Sequence, residues 1–170
     1  MRLFPGKIAP ISSEVVRALV ASGDIEVTSP REVERDVEAV LQSYLEAERE
    51  VNDRTKDVIE RTGRGQGDWN RVRNLVADEK GIKVGEYMLD FLLDQVVDMF
   101  HHSANVDEIF AEDVELRRKM GPVFKRHLAA DSALDEEVRA QMKQIREGTR
   151  DWDIEYMRQL EIIKRKRGLG

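Results

Sequence analysis

Hydrophobic and polar positions follow the period of an α-helix over most of this chain. The densest apolar stretch, residues 84–102, is broken only by an acidic seam: Glu86, Asp90, Asp94 and Asp98. Residues four apart lie on the same face of a helix, so the pattern predicts a buried central helix with one solvent-exposed edge. We expect most other elements to pack against this helix.

The same period, with capping residues, predicts the remaining helices. Ser29, Pro30 and Glu32 are typical of a capped helix start, and they open a long helix. Residues 1–10 are expected to be an extended lead-in, and 25–27 are too short to assign, a strand fragment being one reading. The predicted helices cover 11–22, 30–61, 68–79 (with Trp69, Val72, Leu75 and Val76 inward), 84–102, 113 to a break at Gly148 (with a kink or restart at Gly121-Pro122), and a last helix carrying Trp152, Ile154, Met157, Leu160, Ile162 and Ile163.

The order of these parts repeats within the chain. At an offset of 83, Asp68-Trp69 falls on Asp151-Trp152, and at an offset of 81, Ser22 falls on Ser103. We interpret this as a tandem duplication, with repeat 1 over about 1–81 and repeat 2 over about 82–170. The predicted fold class is all-α: a short–long–short helical unit, duplicated and packed as one pseudo-two-fold helical bundle.

Composition narrows the classes of function. The 170 residues suffice for one helical domain, 1–170, and 36% of them are charged. The absence of cysteine excludes disulfides, thiol catalysis and cysteine-ligated zinc. The net charge of −6 disfavours nucleic-acid binding over the whole surface. The first ten residues lack the apolar core of a signal peptide, so we expect a cytoplasmic protein that does not bind membranes.

Several segments resemble the bacterial family known as domain of unknown function 507. The resemblance rests on Arg2-Leu3-Phe4-Pro5 with Ile8 and Ile11, on residues 15–27 ending Gly23-Asp24-Ile25-Glu26-Val27, on the two Asp-Trp pairs, and on Arg167-Gly168-Leu169. It covers nearly the whole chain. It implies a bacterial, intracellular, helical protein and transfers no catalytic or binding residue.

Two sets of residues are candidates for macromolecular contacts. Trp69 and Trp152 occupy matching positions, where a tryptophan serves either as an interface anchor or as a core anchor for a short helix. The one dense basic run, Lys164, Arg165, Lys166 and Arg167, could hold phosphates or could simply offset the dipole of the last helix.

Two further sets were considered as chemical sites. Asp94, Asp98 and His102 have the spacing of metal ligands on one helix, although a plain solvent-facing edge is the simpler interpretation. His127 has Asp131 four residues on but no nucleophile, and it is interpreted as a half-buried filler.

No nucleotide-binding, metalloprotease or catalytic-triad pattern appears, so we expect a protein that is not an enzyme and needs no cofactor. The preferred hypothesis is a scaffold or regulatory subunit that acts through protein–protein contacts, with homodimerisation as one form. Two alternatives stay open: a nucleic-acid or ribonucleoprotein-associated protein that uses the basic run, and a metal-binding helical domain.

Overall fold

A computed structural model describes residues 2–145 and 150–168, without the side chains of residues 66, 130–132, 150 and 153. Over these residues the chain forms six α-helices and two short β-strands. Their order is α1 (Ile8–Ala21), β1 (Ile25–Val27), α2 (Pro30–Thr62), α3 (Trp69–Lys80), α4 (Met88–His102), β2 (Val106–Ile109), α5 (Asp113–Ala140) and α6 (Arg150–Lys166).

The two strands correct the all-α prediction. β1 and β2 pair antiparallel, with Ile25 opposite Ile109 and Glu26 opposite Glu108. Ile25 is buried, whereas both glutamates are exposed. Alternate residues of a strand point to opposite faces, so the sheet has an apolar inner face and an acidic outer face. The strands are three and four residues long, too short for their alternation to stand out in the sequence.

Helix α1 begins earlier than predicted. A single 3-10 turn over Pro5–Lys7 leads directly into it at Ile8, so Pro10 lies inside the first helical turn. The first four N–H groups of a helix have no helical acceptor, so the missing N–H of proline costs little there. The extended lead-in was therefore predicted too long.

The long helices agree well with the sequence, with one exception. α2 spans the predicted length, and its start is marked by the Ser29 carbonyl, which accepts from the backbone N–H of Glu32 at 3.1 Å. A kink or a restart was predicted at Gly121-Pro122, and α5 continues through these residues as one helix without restarting. It ends at Ala140, earlier than predicted. The predicted break at Gly148 lies outside the described residues.

The chain divides into two compact units that are discontinuous in sequence. Unit 1 contains Leu3–Glu46 and Gly85–Ala129, and unit 2 contains Ala47–Val84 and Ala130–Gly170 together with Arg2. The first part of each long helix thus belongs to unit 1 and the second part to unit 2.

The core of unit 1 includes the apolar face of α4. The acidic seam along α4 is exposed, as predicted, whereas Tyr87, expected among the apolar residues, is 56% exposed. Tyr87 lies in a 3-10 turn before the helix, where the α-helical period does not hold. The buried residues of α4 are Met88, Leu89, Leu92, Leu93, Val96, Val97 and Phe100.

The core of unit 2 includes its two tryptophans. Trp69, Val72 and Val76 of α3 are buried as predicted, whereas Leu75, also predicted inward, is 57% exposed and Ala77 is buried in its place. On α6 the buried face consists of Trp152, Tyr156, Leu160 and Ile163. The other apolar residues of α6, Ile154, Met157 and Ile162, are exposed.

None of the helices in the described part of the chain combines the length and apolarity needed to cross a bilayer.

Candidate functional site

Both tryptophans are structural residues of unit 2. Trp69 is 7% exposed and Trp152 is 6% exposed. The Trp152 ring stacks on Tyr156 with centroids 4.9 Å apart, and the Arg139 guanidinium lies 5.1 Å from the Trp152 ring centroid. The contacts of Trp152 hold α6 in place, and both buried rings present little surface to a partner, as the core interpretation expects.

A partly buried polar cluster surrounds Asp135 in the same unit. The Tyr156 hydroxyl donates to Asp135 Oδ1 at 2.5 Å, and Arg139 Nε donates to Oδ2 at 2.9 Å. Arg2 lies 3.8 Å from the same carboxylate and 4.4 Å above the Tyr156 ring. Burial raises the pKa of Tyr156, so its hydroxyl stays protonated and remains a donor. The cluster binds two helices together and contains no nucleophile.

The basic run lies at the exposed end of α6. Arg165, Lys166 and Arg167 are exposed and Lys164 is half-buried. Arg167 forms an ion pair with Glu137, whereas the first three cations have no acidic partner among the described residues. Cations in the last turn of a helix interact favourably with the helix dipole. These three cations also remain available to an anionic group.

The candidate metal ligands on α4 have other contacts. Asp94 Oδ1 pairs with Arg117 Nε at 3.1 Å, and His102 Nδ1 lies 2.8 Å from the backbone carbonyl of Asp98. His101 Nε2 lies 2.6 Å from Asp113 on α5. Across the described residues, no three His, Asp or Glu side chains converge on a position that could hold a metal ion.

His127 has a carboxylate partner that the sequence did not indicate. Its Nε2 lies 2.7 Å from Glu14 Oε2, and Arg126 pairs with the same glutamate. The hydrogen bond from His127, aided by Arg126, lowers the pKa of Glu14. Glu14 lies 113 positions away in the sequence, on α1, so no local spacing could reveal this contact.

The outer side of the small sheet is exposed and carries acidic side chains. Glu26 and Glu108 face each other across the strands, and neither has a cationic partner among the described residues. Phe110 follows two residues after Glu108, and its N–H donates to the Asp24 carbonyl at 2.8 Å. Phe110 therefore extends the ladder and shares the outer side with Glu108. We call Glu26, Glu108 and Phe110, together with the exposed Glu112 and Val114 that follow in the chain, the acidic face.

The acidic face combines charge with exposed apolar surface. Phe110 and Val114 are each 63% exposed, and Glu112 between them is exposed and has no described partner. Like charges directly opposite in a sheet are destabilising, so the Glu26–Glu108 pair does not serve the stability of the sheet. A strand fragment at residues 25–27 was one reading of the sequence, and β1 lies there. The partner strand β2 was not predicted, so the pairing that brings Glu26 and Glu108 together was not foreseen.

Formal charge is unevenly divided between the units. Unit 1 has 9 basic and 17 acidic residues, a balance of −8, whereas unit 2 has 19 and 17, a balance of +2. The acidic face thus lies in the strongly negative unit, and the basic run lies in the other. Long-range fields of this kind steer oppositely charged partners.

These features define a mainly helical protein with a small two-stranded sheet. The family model described as "Protein of unknown function (DUF507)" matches residues 1–169, and the chain belongs to this family. No curated protein sequence matches the chain.

Proposed function

We propose that this protein acts without catalysis, by binding another protein through the acidic face. The observation that carries the proposal is the exposure of Phe110 and Val114 among carboxylates that have no cationic partner. An exposed aromatic ring is a typical anchor of a protein interface. Unpaired carboxylates around it favour a partner with a basic surface and increase the rate of encounter.

The test places a photo-crosslinking amino acid at position 110 in cells of the source bacterium. Crosslinking from this position to a defined protein is expected, and reversing the charges by Glu26→Lys with Glu108→Lys should abolish it. The matched control carries the crosslinker at Tyr87, an equally exposed aromatic in the same unit. Equal crosslinking from 110 and 87, or none from 110, would overturn the proposal.

A second candidate function is nucleic-acid binding by the basic run. Lys164, Arg165 and Lys166 lie together at a helix end without acidic partners among the described residues, and each phosphate contact adds to the salt dependence of binding. The run has no aromatic platform beside it, which is why we rank this function second.

Binding to labelled RNA and duplex DNA at increasing salt tests this second function. Replacing the three cations by glutamine should weaken binding and flatten its salt dependence. The control replaces Arg17, Lys125 and Lys143, exposed cations elsewhere, by glutamine. If both triple variants bind equally, the basic run is not a nucleic-acid site.

We also propose that the chain is a tandem duplication, as its sequence suggested. The order helix, strand, long helix, helix occurs twice, and the strand of one copy pairs with the strand of the other. Equivalent contacts support the same proposal. Arg73 donates to Asn52 at 2.7 Å, and 83 residues on, Tyr156 donates to Asp135.

Reciprocal contacts in unit 1 provide independent support. Lys119 of α5 donates to Asp24 after α1, while Asn105 after α4 donates to Asp36 of α2 at 2.9 Å. Asp24 and Asn105 are related by the offset of 81, and Asp36 and Lys119 by the offset of 83. Reciprocity of this kind is the mark of a two-fold axis. An experimental structure in which 1–81 and 82–168 do not superpose would contradict the duplication.

A further inference from the structure

A second apolar surface lies on the outer side of α6. Ile154 and Met157 are 59% and 57% exposed, and Ile162 is 37% exposed, although the helix already buries a complete apolar face on its other side. Ile154 and Met157 are neighbours three residues apart, and Ile162 lies about two turns beyond Ile154, with exposed Arg158 and Glu161 between them. This helix side therefore carries exposed apolar side chains that its own core does not explain.

Cations border this surface at its C-terminal end. Arg165 and Lys166 lie three and four residues after Ile162, and residues at these spacings are neighbours on a helix surface. Neither has an acidic partner among the described residues. We call Ile154, Met157, Ile162, Arg165 and Lys166 the basic face.

The two faces are complementary in composition. On the acidic face, exposed Phe110 adjoins Glu26 and Glu108, and on the basic face, exposed Ile162 adjoins Arg165 and Lys166. One surface is apolar with unpaired carboxylates and the other is apolar with unpaired cations. Contact between the two faces would bury the exposed apolar side chains of both and would pair the carboxylates of one with the cations of the other.

We propose that the acidic face of one copy binds the basic face of a second copy of this chain. Phe110 then packs against the apolar residues of α6, while Arg165 and Lys166 meet Glu26 and Glu108. The inference rests on the proposed function and names the partner of the same surface. Because the contact joins two different faces, it either occurs twice in a dimer with two-fold symmetry or repeats head-to-tail in a ring or an open chain.

The experiment is a charge exchange on the full-length protein, followed by sedimentation velocity at low and high salt. Wild-type protein is expected to self-associate, more strongly at low salt. Glu26→Lys with Glu108→Lys, and Arg165→Glu with Lys166→Glu, should each weaken self-association at least roughly tenfold. An equimolar mixture of the two double variants should restore association, because the exchanged charges match again.

A matched control distinguishes the loss of this specific contact from a general effect of the changed net charge. Asp90→Lys with Asp98→Lys makes the same change on the exposed seam of α4 and should leave self-association unchanged. Circular dichroism identifies any variant that fails to fold, and Phe110→Ala, which reverses no charge, then provides the second loss-of-association variant.

The outcomes separate this inference from the proposed function. Monomeric wild-type protein at all concentrations, or a mixture that fails to associate although both variants fold, overturns self-recognition. In the crosslinking experiment, a product of twice the chain mass supports a second copy as the partner. A product with another protein would support the proposed function and contradict self-recognition, and no product at all would overturn both.

Discussion

The imidazole of His127 on α5 lies 2.7 Å from the carboxylate of Glu14 on α1, and joins two helices that are far apart in the sequence. A carboxylate only accepts hydrogen bonds, so Nε2 of His127 is the donor. The contact is half exposed and links the two halves of the chain within unit 1.

This contact predicts a pH dependence of stability. The pKa of Glu14 is lowered from its ordinary value of 4.5, chiefly by His127, so its contribution is present above that value and is lost as the pH falls through the lower folded pKa. Glu14→Gln should reduce the free energy of unfolding at neutral pH by less than about 1 kcal/mol, because the pair is partly exposed. It should also lose less stability on acidification below pH 4.5. Urea titrations across the range check this, with Glu112→Gln as control.

The sheet register predicts a thermodynamic cycle. Glu26 and Glu108 are directly opposite, so either single change to lysine creates an attractive cross-strand pair and should stabilise the protein by about 0.2–1 kcal/mol. The double change restores a like-charged pair and should return stability to the wild-type value. Thermal unfolding of the four proteins tests the cycle, and additive effects would contradict the register.

Two buried hydroxyl groups should respond with opposite sign to removal. Ser12 Oγ is buried with no hydrogen-bond partner among the described residues, so Ser12→Ala should be neutral or stabilising by up to about 1 kcal/mol. Thr55 Oγ1 donates to the Val51 carbonyl at 2.7 Å, so Thr55→Val should cost about 0.5–1.5 kcal/mol. Chemical denaturation measures both, and a strongly destabilising Ser12→Ala would indicate an unrecognised partner.

Replacing two glycines by alanine should likewise change the stability in opposite directions. Gly81 ends α3 at φ +85°, where a Cβ is strained, so Gly81→Ala should cost about 1 kcal/mol. Gly121 lies inside α5, and an added Cβ there meets Leu93 Cδ1 at an ordinary 3.9 Å. Gly121→Ala should therefore be neutral or stabilising by up to about 1 kcal/mol. Equal losses of melting temperature in both variants would refute this contrast.

The hydroxyl of Tyr156 should contribute measurably to unit 2. Tyr156→Phe keeps the ring stacked on Trp152 and removes only the donor to Asp135, at an expected cost of about 1–2 kcal/mol. Tyr87→Phe, at an exposed ring, is the control and should change stability little. Guanidinium unfolding compares them, and equal stability of the two variants would mean that the Tyr156 hydrogen bond adds nothing.

Much of the helical architecture followed from local sequence. The start of α2, the end of α3 to within one residue, and the exposed acidic seam of α4 were all predicted, because capping and helical amphipathicity depend on residues within one or two turns. Errors arose where short elements or element ends were involved. Leu75 and Tyr87 were placed inward on helical period alone, and both are exposed.

The sequence by itself determined family membership, the helical class and the two long helices, since those properties depend on composition and near-neighbour spacing. Only the tertiary structure decided which charged side chains contact each other and which apolar side chains remain exposed to solvent. Glu26 opposite Glu108, His127 on Glu14, and the exposure of Phe110 each depend on contacts between elements 80 or more positions apart. Long-range pairing depends on how the elements pack against each other. The helical or strand period of a sequence describes only near neighbours and therefore does not predict such pairs.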